Sequence, residues 1–542
     1  MRQREVHSEN YFLGVALTFV YLSLSLLFSK FINSNEISKF TDAMLEIDPS
    51  WIPAYSLSKN LFVERQWLFQ HFMRPLLETG GFGFAALVGR LFSFLLLAFG
   101  WISLGKALRI RTSLLIFALA VLIPRQSLVA GEWIFLGVEP KVWCYGFCFI
   151  GLSKLLRPIE SLQGTAFWFG LATSVHPLVG LYCSLSGFGL LLLMQPSVAF
   201  SLKNLARGGL MFLFAGIFAV RPVLEFLFQP HLHQSSPQSP NSSFVYVFLR
   251  TPHHLDPWSW PHGWWYYAAI CFSLIVLLLI CLYQLPRFQL DRDGRFAVRS
   301  LVTFTALTCF PFAFGLVVRF FDHEGKILQL YLFRVADVMV PLTTVLLAAV
   351  FLERLLELSQ KSFLDTWLKG VVLTLFLLSS IPFLSGMKSY EHFPLGTPGV
   401  SASWFELCSW ARQNTKRDTL FITNPHDTFS FPWLARRKIV GTFKQVPLSG
   451  GLNVWYQKMT LFGGNQEPWN TTGFHFSRWL SSQYRQLTET RVKELGSIWN
   501  ADYFVTTASH KLGFPVAFHN NGYTVYDLRR KNDDVTSQQR EL

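Results

Sequence analysis

The chain has 542 residues, of which 51% are hydrophobic and 15% charged, with a formal charge of +14. Soluble domains carry about 25% charged residues, so this chain is solvated largely by something other than water. Its lysines and arginines sit on short connectors between apolar runs, where they set membrane topology, and they give no ground for a nucleic-acid partner.

The N-terminus, MRQREVHSEN followed by YFLGVALTFVYLSLSLLFSKFI, joins a basic start to an apolar run. That run exceeds a signal-peptide core of roughly 7–15 residues and no A-x-A-like site follows, so it reads as an uncleaved first span. Further spans are expected near Phe82–Leu104, Ser113–Ile123, Val142–Leu156, Thr165–Val175, Val179–Met194, Gly208–Val220, Trp264–Leu285, Ser300–Val318, Phe333–Leu352 and Val371–Met387. Several are short, and Pro124 and Pro177 interrupt apolar stretches, so the count is about eleven. Basic residues fall on alternate connectors (Lys106–Arg111, Lys154–Arg157, Lys203 with Arg207, Pro286–Arg299, Arg354–Lys369), which should be cytoplasmic together with the N-terminus. With an odd count, the outer set comprises loops 33–81, 124–141, 221–263 and 319–332 and everything beyond the transmembrane part, 1–387. Both N-x-[ST] sequons, Asn241 and Asn470, fall on that side.

Residues 388–530 read as an extracytoplasmic α/β domain. Ser403 and Glu406 form a capping box that opens a helix. TLFITN, KIVGTF and DYFVTT are short β-type runs, with a helix around Arg491–Trp499, and PVAFHNNGYTVYDL is a hairpin turning at Asn521-Gly522. Residues 531–542 read as a flexible tail. Six of the seven cysteines lie in apolar runs and no CxxC pair occurs, which fits small buried hydrophobes.

No inner connector holds a GxxxxGK[ST] or a strand-borne GxGxxG, so chemistry belongs on the outer face without direct use of cytoplasmic nucleotides. The first outer loop carries Glu36, Asp42, Glu46 and Asp48, with Asp42 and Glu46 on one helical face. The second carries Glu132, Glu139 and Lys141, and His176 tips a tight hairpin. The stretch FLRTPHHLDPWSWPHGWW supplies Arg250, His253, His254 and Asp256. Arg334 and Asp337 stand at i and i+3, near enough to pair. Each has a plainer reading: Asp48-Pro49 as a turn, His176 as a helix-end residue, Arg334 with Asp337 as a structural ion pair, the Trp-rich stretch as an interface loop. His253, His254 and Asp256 together could hold a metal, but adjacent histidines point apart and the spacing matches no zinc motif. What speaks for a site is their gathering on one face, because ionisable groups at membrane depth usually line a functional cavity.

These residues carry a resemblance. The layout resembles the GT-C superfamily of polytopic membrane glycosyltransferases. More narrowly, IDPSW, GEWIFLGVEPKVWCYGF, GLATSVHPLVGLY, RTPHHLDP and LQLYLFRVADVMVPL resemble a bacterial multi-pass membrane family of unassigned function. The GT-C resemblance implies a polyprenyl-phosphate-linked sugar donor, an envelope glycan, lipid or protein as acceptor, and a bacterial plasma membrane location. It implies Asp48 or Asp42 as the base on the acceptor hydroxyl. Arg334, Lys141 and Arg250 would hold the departing phosphate, and His253, His254 and Asp256 would contact phosphate or acceptor, with His176, Glu132 and Glu139 nearby. The first loop departs from the family in lacking a DxD or adjacent Asp-Asp, which leaves the base and any divalent cation open. A flippase or transporter of a lipid-linked substrate and a non-catalytic envelope-assembly scaffold are the competing classes. The first predicts repeat symmetry and a midplane site, and no repeat is seen.

Overall fold

The computed structural model describes residues 10–28, 32–48, 66–228, 240–359, 362–389, 400–426, 428–444, 452–463 and 471–529. Asn470 and the tail 531–542 lie outside them. The first helices are α1 (Tyr11–Leu26), α2 (Ser34–Ile47), α3 (Trp67–Ala107), α4 (Thr112–Leu122), α5 (Pro140–Leu155), α6 (Gln163–Val175) and α7 (Pro177–Met194). Each apolar stretch picked out in the sequence overlaps a helix, because a bilayer-length apolar run must satisfy its own backbone polar groups. Among the described residues six helices are long and apolar enough to cross a membrane: α3, α7, His262–Gln284, Arg292–Val318, Arg334–Leu358 and Thr366–Ser385. The others are shorter; α1, for example, has 16 residues.

The Arg334–Leu358 helix forms the centre, with 78% of its apolar window buried, against 17% for His262–Gln284 and 11% for Thr366–Ser385. Those two outer helices expose Leu274, Val276, Leu277, Leu373, Leu377 and Ile381. An apolar face of that size requires lipid, and the chain is an integral membrane protein. Helix α3 carries Gly81 at φ +69° and ψ −166°, outside helical geometry, so a first segment breaks away from the spanning part at a conformation only glycine adopts freely.

The basic connectors meet at one end of the bundle. Arg111 chelates Glu353 (Nε–Oε1 2.8 Å, Nη2–Oε1 2.6 Å), Arg109 reaches Asp293 at 2.7 Å, and Arg157 donates to the Lys106 carbonyl at 3.1 Å. At the other end lie α2, the 126–139 segment, the 241–260 segment and the C-terminal region.

That region holds a five-stranded mixed sheet, β1 (Leu420–Ile422), β2 (Lys438–Ile439), β3 (Tyr503–Thr507), β4 (Val516–His519) and β5 (Tyr523–Asp527), in the order β2-β1-β3-β5-β4. β1 runs parallel to β2 and β3, with Phe421 opposite Ile439 and Tyr503, and β5 runs antiparallel to β3 and β4. Two expectations need correction. The Ala402–Asn414 helix is capped by Ser401, whose hydroxyl accepts from Trp404 N, while Glu406 accepts from Asn520 Nδ2 of the β4–β5 turn. The cap therefore lies two residues before the anticipated Ser403. The run KIVGTF forms a strand over only two residues, because the chain then leaves the sheet to bring Phe443 and Lys444 to the membrane part.

Candidate functional site: a cationic cavity

Between the helix ends and the C-terminal region lies a cavity of about 960 Å³. Helix α2 presents Asn35, Ser38, Lys39 and Asp42 to it, the i, i+3, i+4, i+7 face of an amphipathic helix. That face is fixed by Glu36 on the opposite side. Its carboxylate takes Arg90 Nε (2.8 Å) and Nη2 (2.7 Å) and the Val138 N–H (2.9 Å), all buried, and also closes the α2 capping box with Asn33. Glu36 is thus a structural anchor.

The N-termini of α5, α7, His262–Gln284 and Arg334–Ser359 converge on the cavity through Glu139, His176, Pro261 and Arg334. Each carries roughly half a positive charge, which favours an anion. A further wall is an irregular stretch, a π-helical turn Val245–Arg250 followed by a short helix Pro252–Leu255. The C-terminal region closes the top. Gly473, at φ +54°, lies where an added Cβ would stand 3.1 Å from Pro252 Cγ, so a glycine is what seats the Gly473–Tyr484 helix there.

The cavity wall has six Lys or Arg residues against two carboxylates, Asp42 and Glu139. Compensation separates the cations. Lys141 lies 3.5 Å from Glu132 and 3.5 Å from Glu139, above the Trp133 ring. Arg334 lies 3.4 Å from the same Glu132 and covers Tyr331, with Nη1 3.5 Å from His176 Nε2. Arg250 differs. It is 7% exposed, stacks on Phe443, and donates Nη2 to the Lys444 carbonyl at 3.2 Å. Its Nε has no hydrogen-bond partner among the described residues, and no carboxylate pairs with it there. Burial lowers its pKa to about 10. Lys444, whose ammonium donates to Asn35 Oδ1, is lowered to about 8, chiefly by burial and then by Arg250.

His254 Nδ1 lies 2.5 Å from the Ala130 carbonyl. A carbonyl only accepts, so Nδ1 carries the proton and Nε2 keeps its lone pair. Burial lowers His254 to about 3, and burial with His254 beside it lowers His253 to about 2, so both rings are neutral near pH 7. His253 packs on Phe474 and its Nδ1 lacks a partner among the described residues. His176 caps α7, its Nδ1 accepting from Val179 N at 3.4 Å.

Of the residues singled out from sequence, Asp42, Glu139, Lys141, His176, Arg250, His253, His254 and Arg334 line this cavity. Glu132 stands behind the wall, bridging Lys141 and Arg334. Asp256 does not face it: its carboxylate takes Arg319 Nε at 2.6 Å and caps the Pro257–Ser259 turn. Asp48 sits at the C-terminal cap of α2, close enough to Arg436 to act on its charge, and is absent from the cavity wall. Asp337 accepts from the N–H groups of Val129, Ala130 and Glu132 and the Ser127 hydroxyl, holding the 126–139 loop, while Arg334 goes to Glu132. Sequence reasoning missed Lys39, Lys444, Arg478 and His426. Only Lys39 carried a local signal, one turn before Asp42 on the same face. Among the described residues no group of three His, Cys, Asp or Glu side chains is arranged to hold a metal ion.

Residues 402–462 match the model of a domain of unknown function, DUF6798. No curated protein matches. Among solved structures, the chain is similar to ArnT from Cupriavidus metallidurans, crystallised with undecaprenyl phosphate. That similarity has 13% identity and a TM-score of 0.46, and it covers 96% of this chain and 97% of the other. At that level it is a likeness of chain path, and the chemistry has to come from this chain's own side chains.

Proposed function

We propose that the protein is a glycosyltransferase that moves a sugar from a polyprenyl-phosphate carrier to an envelope acceptor, in the cavity at the outer face of the membrane. The observation that carries this reading is the Arg250–Lys444 pair. A buried Arg250 with a half-buried Lys444 beside it, neither having a carboxylate ion pair among the described residues, is costly unless an anion completes them. A phosphate monoester or diester at the end of a lipid is such an anion, and the cavity wall includes Pro261 and Trp264 at the start of the exposed apolar His262–Gln284 helix. Lys141 and Arg334, already paired with glutamates, orient rather than neutralise.

In the transfer, the Asp42 carboxylate removes the proton from the acceptor hydroxyl as that oxygen attacks the anomeric carbon. The bond from the anomeric carbon to the phosphate oxygen breaks, and the electron pair leaves with the carrier phosphate. Its added charge falls on Arg250, Lys444 and the convergent helix N-termini. The His254 Nε2 lone pair accepts from a sugar hydroxyl.

The test is mass spectrometry of lipid-linked sugars and envelope glycans. It compares cells lacking the protein with cells complemented by wild type, Asp42→Asn or Arg250→Met at matched membrane levels. Accumulation of one lipid-linked sugar with loss of one glycan residue, reproduced by both variants, is the expected result. Unchanged glycans in the null overturn it, and a redistribution of the lipid-linked sugar between leaflets without any lost glycan residue makes the protein a transporter.

A further inference from the structure

A second basic concavity lies away from the cavity, on the C-terminal region where it rests on the membrane helices. It encloses about 360 Å³ and is lined by Arg412, Arg436, Phe405, Trp433, Ser409 and Gln413, among others. Three features fix its character. First, the short helix Phe431–Ala435 ends at Arg436 in the left-handed conformation, φ +52°. That position favours glycine or asparagine, and here it holds a cation at the rim. Second, the neighbouring Arg437 is consumed structurally. It donates to the carbonyls of Arg412 and Thr415 at 2.7 and 2.6 Å and closes the Ala402–Asn414 helix. Arg412 and Arg436 are left for the concavity, and the charges of Arg412 and Arg417 both act against that of Arg436, with Asp48 the acid opposing them. Third, the floor adjoins a candidate membrane helix. Trp433 stacks face to face on Phe82 (centroids 4.5 Å, planes 7° apart), the first residue of the spanning part of α3 after the Gly81 break. Tryptophan with arginine at the end of a span is the composition of a headgroup-level contact.

We propose that this concavity binds the phosphate of an anionic phospholipid of the surrounding bilayer. The two arginines take the phosphate oxygens, and Trp433 and Phe405 flank the glycerol end. The assignment does not depend on the transfer reading, since it uses neither the cavity nor its residues. Its consequence is a C-terminal region held against the bilayer by lipid, in the place where it covers the cavity.

The experiment uses the full-length protein in nanodiscs of phosphatidylcholine with 0 or 30% phosphatidylglycerol, with retained lipid read by native mass spectrometry after release. Wild type should retain phosphatidylglycerol over phosphatidylcholine. Arg412→Gln/Arg436→Gln should weaken that retention about thirtyfold, taking roughly a fivefold loss for each basic group at an anionic surface. The exposed pair Lys493→Ala/Lys511→Ala removes equal charge from the same region and should change retention little, and an unchanged melting temperature for all variants confirms folding. Equal retention of the two lipids by wild type, or equal retention of phosphatidylglycerol by wild type and the arginine variant, overturns the proposal. Release of the lipid by millimolar inorganic phosphate would show a site for free phosphate and overturns it too.

Discussion

Replacing Arg250 by methionine separates a ligand-binding arginine from a structural one by the sign of its effect on stability. Methionine keeps the unbranched stem against Phe443 and removes the charge. With Arg250 only 7% exposed, burial lowers its pKa from 12.5 to about 10, which corresponds to a penalty of about 3 kcal/mol on the charged form. The loss on the other side is the hydrogen bond from Nη2 to the Lys444 carbonyl, worth about 1.5–3 kcal/mol for a charged donor. The two nearly cancel, so the ligand-free variant should be as stable as wild type or up to about 1.5 kcal/mol more stable. An arginine holding a buried carboxylate would instead cost about 3–5 kcal/mol when removed. Affinity should move the other way: losing the charged donor to phosphate costs about 1.5–3 kcal/mol, roughly a tenfold to hundredfold rise in Kd. The assay is denaturant unfolding of the purified protein in micelles with and without undecaprenyl phosphate, alongside calorimetric titration with the same lipid. A variant that loses several kcal/mol without ligand while binding the lipid as wild type does would refute the reasoning.

Asp42→Asn should lower the transfer rate by about 10²–10⁴ with the lipid Kd within twofold, because it removes a proton acceptor and leaves the cations in place; single-turnover transfer with a labelled donor measures both. Lys444 has a folded-state pKa of about 8, below its unfolded value of 10.5. The unfolded chain therefore binds the extra proton between those values, and ligand-free stability rises as pH climbs from about 8 to 10.5. Phosphate affinity, which needs the ammonium, falls over the same window. A titration of undecaprenyl phosphate from pH 7 to 9, below the range in which Arg250 loses its proton, should show that fall in wild type and a flat profile in Lys444→Arg. Glu36→Ala should cost about 3–5 kcal/mol by stranding Arg90, whereas Glu36→Met/Arg90→Leu should recover most of it; unfolding curves of the two variants decide whether this acid is an anchor or a participant.

The helices were legible because hydrocarbon leaves an apolar run little choice of backbone, and the basic connectors were legible because they need only be counted. The eight cavity residues found from sequence share one trait: each lies at a helix end or in a connector on the same side of the bundle, and topology alone predicts that. The acids of the first outer loop show where this stops. Glu36, Asp42 and Asp48 are equivalent as a string of letters. One points into the protein at Arg90, one into the cavity, and one lies at the helix end near Arg436, and only the packing of α2 against α3 decides which. Lys444 was invisible because its position follows from a strand that stops after two residues, some 190 positions from the arginine it joins.

Compensation of charge is what turns this set of residues into a mechanism, and it is a property of pairs distant in sequence. Glu132 stands between Lys141 and Arg334 and takes part of the charge of each. Without it, Lys141 would keep only Glu139, and Arg334 would lose the glutamate that draws it from a phosphate. With it, Arg250 and Lys444 remain without a carboxylate ion pair among the described residues, one from the 241–260 segment and one from the C-terminal region. The proposed phosphate site is therefore assembled only when that region is seated, with Gly473 against Pro252. The sheet has no need of Lys444 for its own stability: the strand ends before it, and the chain goes on to place the cation over Asn35 of α2. A region that contributes one of two neighbouring cations to the cavity it covers is part of the proposed site, which is why its removal should abolish phosphate binding even if every membrane helix still folds.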